Sequence, residues 1–186
     1  MDEHASLKRV LVPLAEGFEE IEAVAPVDIL RRAGVEVITA GLQAGPVASS
    51  RGVKILADTE LAKVDQEKFD LICLPGGMPG TLHLKESARL ADIITRCFQG
   101  GGYIAAICAA PTVIAHLGLA PGSKITSYPS EKGKFSGYKY REDPVVVDGK
   151  IITSRGPGTA VAFGLKLAEV LQGREAAEKV RQAIVG

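Results

Sequence analysis

The chain has 186 residues, with 22 lysines and arginines balancing 22 aspartates and glutamates, so no overall field draws it to nucleic acid or to an anionic membrane. Its length suits one domain, residues 1–186, with a sizeable core, and no apolar run approaches the ~20 residues of a membrane span. Three scattered cysteines, without a CxxC pair or closely spaced histidines, argue against both a disulfide framework and a structural zinc site.

Short apolar runs alternate with helical periods along the whole chain, the pattern of a single α/β layer structure. Leu7 to Leu14 is predicted as a first strand, and Phe18 to Ala33 as a helix closed by Gly34, a residue suited to a left-handed cap. Val35 to Leu42 is a second strand. Pro46 to Ala57, broken at Ser49 to Gly52, reads as a small hairpin excursion. Phe69 to Leu74 has the continuous apolar character of a parallel strand buried on both faces, and it ends at Pro75-Gly76-Gly77. A helix over Ser87 to Phe98 precedes a strand at Tyr103 to Ile107. Pro111 to Leu117 is the next helix and Lys124 to Tyr128 a further short strand. Val145 to Ser154 is a hairpin turning at Asp148-Gly149, and helices over Ala160 to Leu171 and Glu175 to Val185 complete the pattern.

In open parallel sheets, ligands bind beyond the carboxyl ends of the strands, near a switch in strand order. Four unusual segments fall there: Glu16 to Glu22, Gly76-Gly77, Cys108, and Arg155 to Thr159. Cys108 stands between a strand and the first turn of a helix, where unpaired backbone N–H groups and the helix dipole favour a thiolate. It is the candidate nucleophile, whereas Cys73 inside a strand and Cys97 inside a helix read as packing residues.

Glu19, Glu20 and Glu22 complement the dipole at the start of the first helix. Pro26, four residues after Glu22, removes a helical hydrogen bond and predicts a kink that aims the Glu22 side chain. If Glu22 reaches Cys108 it must carry the proton, because two negative charges there would repel. Adjacent glycines at 76 and 77 form either a tight turn or, with the Ala109 N–H, an oxyanion hole. His116 lies about 12 Å along its helix from Cys108 at 1.5 Å per residue, too far to deprotonate it. His83 reads as a surface residue and His4 as part of a frayed terminus.

Taken together, Glu19-Glu20-Ile21-Glu22, Arg31-Arg32-Ala33-Gly34, Leu74-Pro75-Gly76-Gly77, Ala105 to Pro111 and Thr153 to Thr159 resemble the ThiJ/PfpI superfamily, in its parkinsonism-associated protein deglycase branch. The resemblance covers nearly the whole chain. It implies a flavodoxin-like doubly wound sandwich, mostly parallel, with helices on both faces, and a homodimer. It also implies Cys108 as nucleophile, Glu22 as its protonated partner, and the Gly77 and Ala109 amides as oxyanion donors. Family members are described as glutathione-independent glyoxalases, as deglycases of early methylglyoxal and glyoxal adducts, and as oxidative-stress sensors or chaperones.

The expected activity is therefore addition of Cys108 to small reactive aldehydes or glycated adducts, releasing lactate or glycolate, with no metal or organic cofactor. Gly76, Arg51, Tyr128 and Arg155 are candidate substrate-binding residues. A redox sensor or chaperone acting through Cys108 oxidation, with negligible turnover, is the alternative. Many relatives carry histidine where this chain has Tyr128, and the protease-like branch carries histidine where it has Ala109, which disfavours peptide hydrolysis. No secretory leader is read at Met1 to His4, so a cytoplasmic protein is expected.

Overall fold

The computed structural model describes residues 7–186; the readings made at Met1 to His4, including the frayed terminus, lie outside them. Eleven strands and six helices follow one another as β1 (Arg9–Leu14), α1 (Glu20–Arg32), β2 (Glu36–Gly41), β3 (Pro46–Ala48), β4 (Lys54–Leu56), β5 (Thr59–Glu60), β6 (Leu71–Leu74), α2 (Gly80–Glu86), α3 (Ala88–Gln99), β7 (Tyr103–Ile107), α4 (Pro111–His116), β8 (Lys124–Ile125), β9 (Lys139–Tyr140), β10 (Val145–Asp148), β11 (Ile151–Ser154), α5 (Ala160–Gln172) and α6 (Arg174–Ala183). None of the described helices is long and apolar enough to cross a membrane.

The main sheet has seven strands in the order β10-β11-β7-β6-β1-β2-β5. All its pairings are parallel except the edge hairpin β10–β11. Buried side chains sort by strand pleat into two layers. Val10, Val12, Leu14, Leu71, Cys73, Ala105 and Ile107 face α1, α5 and α6, while Leu11, Ile72, Leu74, Ile104 and Ala106 face α2, α3 and α4. This is the flavodoxin-like sandwich, with β3–β4 as its small antiparallel excursion. Strand order reverses between β1 and β6, so the loops after β1, β6 and β7 converge on one carboxyl edge.

Helix α1 begins without serine or threonine: the Glu19 carboxylate instead accepts the Glu22 N–H at 2.8 Å. Its other end is a Schellman motif, with Gly34 at φ +77° and the Gly34 and Val35 amides donating to Arg31 and Leu30 carbonyls at 3.1 and 3.0 Å. Pro26 sits inside the helix, which runs unbroken through it. The Glu22 carbonyl consequently lacks its helical donor, as the sequence predicts.

Several short elements, β9 (Lys139–Tyr140) among them, differ from the sequence reading. The expected strand over Lys124 to Tyr128 ends at Ile125, because the Thr126 amide donates to Thr153 Oγ1 and the Tyr128 amide to the Cys108 carbonyl, instead of to a strand partner. Edge strand β5 has only two residues, and α2 starts without a side-chain cap; both fall below the length at which hydrophobic period identifies an element.

Helices α1 and α5 meet where Gly164 stands against Pro26 and Ile29. A Cβ there would lie 2.9 Å from Ile29 Cδ1 and 3.2 Å from the Pro26 Cα. Gly164→Leu is expected to destabilise the protein by about 1–3 kcal/mol through overpacking, measured as a fall in the urea midpoint at unchanged m-value. An unchanged midpoint would show that this contact carries no stability.

Candidate active site

Three chain reversals build the site. The loop after β1 delivers Phe18 and Glu19, the end of β6 delivers Gly76 and Gly77, and the end of β7 delivers Cys108. The Glu19 amide donates to the Gly76 carbonyl at 2.9 Å, tying the first two together. Gly77, at φ +91°, has no room for a side chain: a Cβ would run into the backbone of Gly17, Phe18 and Glu19. Cys108 itself has φ +65°, a left-handed conformation that a non-glycine residue adopts at a cost of about 1–3 kcal/mol. Its amide donates to the Ser154 carbonyl at 3.1 Å, and its carbonyl accepts the Tyr128 amide at 2.8 Å.

Glu22 projects from the first turn of α1 and is completely buried. The Gly76 amide donates to its Oε2 at 2.9 Å, whereas Oε1 accepts no hydrogen bond. Burial is the main reason its carboxyl is pushed up from 4.5 to about 7, against the Cys108 and Gly76 hydrogen bonds that favour the ionised form. The Cys108 thiol is pushed up to about 12, first by burial and then by the charge of an ionised Glu22 and its hydrogen bond; the Ala109 and Gly77 amides act the other way on the sulfur.

Two of the five influences on Cys108 thus depend on where one proton sits. With Glu22 protonated, its repulsion disappears and its O–H can donate to a thiolate, so both contributions reverse. The helix-end argument from sequence is correspondingly corrected. Helix α4 has only six residues and begins three positions after Cys108, so the amides of Gly77 and Ala109 and the proton on Glu22 control the sulfur more directly than a dipole.

The fold therefore gathers Cys108, Glu22, Gly76, Gly77 and Ala109. Gly76 is bound to this role sterically, since a Cβ would stand 2.5 Å from Glu22 Oε2 and 2.7 Å from the Cys108 Cβ. Tyr128 touches Cys108 through its backbone, and its half-exposed ring packs beside Gly156. Arg155 follows Ser154 and extends its guanidinium to the Glu142 carbonyl at 3.0 Å, a structural tether. Arg51 is exposed at the tip of the β3–β4 hairpin, whose Ser50 amide donates to the Phe18 carbonyl at 2.7 Å.

The remaining thiols and imidazoles stand apart. His83 is exposed on α2 and His116 is exposed at the end of α4. Cys73 is fully buried and pushed up to about 12. Cys97 is buried, pushed up to about 11, and donates to the Phe69 carbonyl at 3.3 Å. Among the described residues no group of three or more His, Cys, Asp or Glu side chains could hold a metal ion. The sequence reading missed the Ser154 carbonyl and the Tyr128 amide as supports of Cys108; backbone groups carry no residue-specific signal, and only the chain distance between the segments was available.

The profile of the DJ-1/PfpI family matches residues 8–170. Protein dj-1beta of Drosophila melanogaster is 50% identical to this chain, covering 96% of it and 97% of the relative, and the crystal structure of that protein superposes at a TM-score of 0.93 with 49% identity, covering 96% of this chain and 98% of the other. The glutathione-independent glyoxalase DJR-1.2 of Caenorhabditis elegans is 40% identical over 92% of both chains. The structure described as Toxoplasma gondii DJ-1, oxidized, is 42% identical with a TM-score of 0.93, covering 96% of this chain and 98% of that one.

A carboxyl raised from 4.5 to about 7 makes the native state bind a proton more tightly than the unfolded chain. The associated stability is fully present below about pH 4.5 and is lost as the pH rises through about 7. Glu22→Gln, which cannot ionise, is expected to match wild type near pH 4.5 and to exceed it by on the order of 3 kcal/mol at pH 8. Chemical unfolding across that pH range measures the difference; parallel curves would refute the assignment.

Proposed function

We propose, for a chain that belongs to the DJ-1/PfpI family and to its DJ-1 branch, a cysteine-dependent, cofactor-free glyoxalase and protein deglycase acting on methylglyoxal, glyoxal and their early adducts. The observation that carries this reading is the buried Glu22 carboxyl, raised to about 7 and coupled to a sulfur that also receives the Gly77 and Ala109 amides. A group with that affinity both donates and accepts a proton near neutral pH. The relative named as a glutathione-independent glyoxalase supports the same reaction class.

In this mechanism the Cys108 thiolate adds to the aldehyde carbon of methylglyoxal, and the carbonyl electron pair moves onto oxygen. The Gly77 and Ala109 amides stabilise that oxyanion until Glu22 protonates it. Glu22, now a carboxylate, removes the hydrogen from the same carbon as a proton, leaving an enediolate with its charge on the second oxygen. Delivery of that proton to the neighbouring carbon, with the hydroxyl proton of the first carbon passing to the second oxygen, gives a lactoyl thioester. Water cleaves the thioester, releases lactate and restores the thiol. The sum is methylglyoxal plus water giving lactate, with no net oxidation.

A second reading is favoured by Glu22 Oε1, which is buried and accepts no hydrogen bond. A proton on that oxygen would donate to a sulfinate on Cys108 and stabilise the oxidised residue, as a peroxide sensor requires. The oxidised Toxoplasma relative belongs to the same fold. Graded peroxide followed by mass spectrometry is expected to add two oxygens at Cys108 alone; equal oxidation of Cys73 and Cys97 would oppose the sensor role.

We also propose a homodimer, supported by the family membership and by apolar side chains left uncovered on α1 and the β3–β4 hairpin, where Ile21, Val24, Val53 and Leu56 are 51%, 49%, 50% and 74% exposed. Leu56→Glu is expected to convert a dimeric mass in light scattering to a monomeric one, and a monomeric wild type would refute the assembly.

Lactate formation from methylglyoxal is expected to fall to background in Cys108→Ser and by about 10²–10⁴ in Glu22→Gln. Measuring free methylglyoxal beside a preformed hemithioacetal separates aldehyde detoxification from deglycation. Undiminished lactate from Cys108→Ser would overturn the mechanism.

A further inference from the structure

Cys108 is held in its left-handed conformation by two backbone hydrogen bonds, and both lead to segments rich in buried hydroxyls. Of the eight buried polar or charged residues among those described, four, Thr126, Ser127, Thr153 and Ser154, lie in these two segments. Such groups are costly to bury unless they are used. Here the hydroxyls of Ser127, Thr153 and Ser154 are hydrogen-bonded, while Thr126 Oγ1 has no partner, and the bonds of Ser127 and Ser154 fix the two groups that grip Cys108.

On one side the Tyr128 amide donates to the Cys108 carbonyl at 2.8 Å. Ser127, the preceding residue, donates its hydroxyl to the Tyr128 carbonyl at 3.0 Å, which uses its single hydrogen. Tyr140 must then be the donor in its 3.1 Å contact with Ser127 Oγ, and its alternative acceptor is the Ser127 carbonyl at 3.3 Å. The Tyr140 hydroxyl thus reaches the carbonyl side of Cys108 through Ser127 and Tyr128. Its ring is independently packed on Phe135, with centroids 5.8 Å apart.

On the other side the Cys108 amide donates to the Ser154 carbonyl at 3.1 Å. Ser154 Oγ donates to the Pro144 carbonyl and meets Thr159 Oγ1, each at 2.7 Å. Thr159 Oγ1 also receives the Gly156 amide at 3.1 Å and the Arg155 amide at 3.3 Å. One hydroxyl therefore closes the turn that follows Ser154 and fastens that turn to the residue holding Cys108.

We propose that Tyr140 and Thr159 are positioning residues for Cys108, acting as two hydroxyl braces, one on each side of its peptide, that keep its sulfur against the Gly77 and Ala109 amides. Neither side chain touches the sulfur. Relaxing either brace lets the backbone leave φ +65° toward the ordinary regions for an L-residue, and the sulfur then loses amide donors that favour the thiolate. The inference rests on the proposed function only for the importance of the sulfur to turnover.

The test is the rate of iodoacetamide alkylation at Cys108, resolved by mass spectrometry and followed against pH, in wild type, Tyr140→Phe, Thr159→Val, Thr159→Ser and Tyr138→Phe. Tyr138 is the control, since its hydroxyl donates to the Leu119 carbonyl at 2.7 Å and has no bond toward Cys108. Tyr140→Phe and Thr159→Val are each expected to move the midpoint of the alkylation profile upward, with a threefold to tenfold loss of rate at pH 7. Thr159→Ser and Tyr138→Phe should retain the wild-type midpoint. Unmoved midpoints in both Tyr140→Phe and Thr159→Val, or an equal shift in Tyr138→Phe, would overturn the proposal. Because alkylation needs no turnover, a wild type that alkylates normally but forms no lactate would refute the glyoxalase reading and leave the braces standing.

Discussion

A carboxyl group buried with one amide for company organises this site. The Gly76 N–H is the one backbone donor to Glu22, and with the Cys108 hydrogen bond it is too little to compensate for the removal of a full charge from water, so the proton remains near neutral pH. Everything around it accommodates that bond. Gly76 cannot bear a side chain without striking both Glu22 and Cys108, Gly77 cannot bear one without striking the loop after β1, and the Glu19 amide closes the assembly onto the Gly76 carbonyl. The acid and the thiol are consequently one titrating unit, whose charge can move between oxygen and sulfur without leaving the site.

The doubly wound topology is what makes such a meeting inexpensive. A parallel sheet delivers every strand's carboxyl end to the same edge, and the reversal of order between β1 and β6 opens a crevice there. Glu22 arrives from the helix on one face. Cys108 arrives from the strand two places away, and the Ser154 and Tyr128 segments close the far side. None of the contributing segments crosses the core, so the apolar layers on either face of the sheet remain continuous.

Much of this was legible in the sequence because it is written in residue types with strong local meaning. Gly34 marked the end of α1, the apolar run ending in Pro75-Gly76-Gly77 marked a buried strand and its exit, and the change of period at Cys108 marked the elbow. The pairing of Glu22 with Cys108 is implied by the family resemblance, and charge logic adds that the carboxyl then carries the proton. Its geometry, however, depends on Glu19 acting as a cap and on the Gly76 amide, neither of which has a sequence signature of its own. The thiol's environment was the least legible part. A helix end after Cys108 implied an acidic thiol, whereas burial and a neighbouring carboxyl raise it, and only the folded arrangement weighs those influences. Sequence pattern extends the strand from Lys124 to Tyr128, whereas the Thr126 and Tyr128 amides serve a side chain and an elbow.

The proline within α1 has a mechanical consequence. A regular helix behaves as a stiff rod, transmitting a displacement at one end to the other through its ladder of backbone bonds. Pro26 leaves the Glu22 carbonyl outside that ladder, while the Glu19 carboxylate and the Gly76 amide secure the first turn locally. The turn that carries the carboxyl thus has anchors of its own and one backbone bond fewer to the rest of the helix.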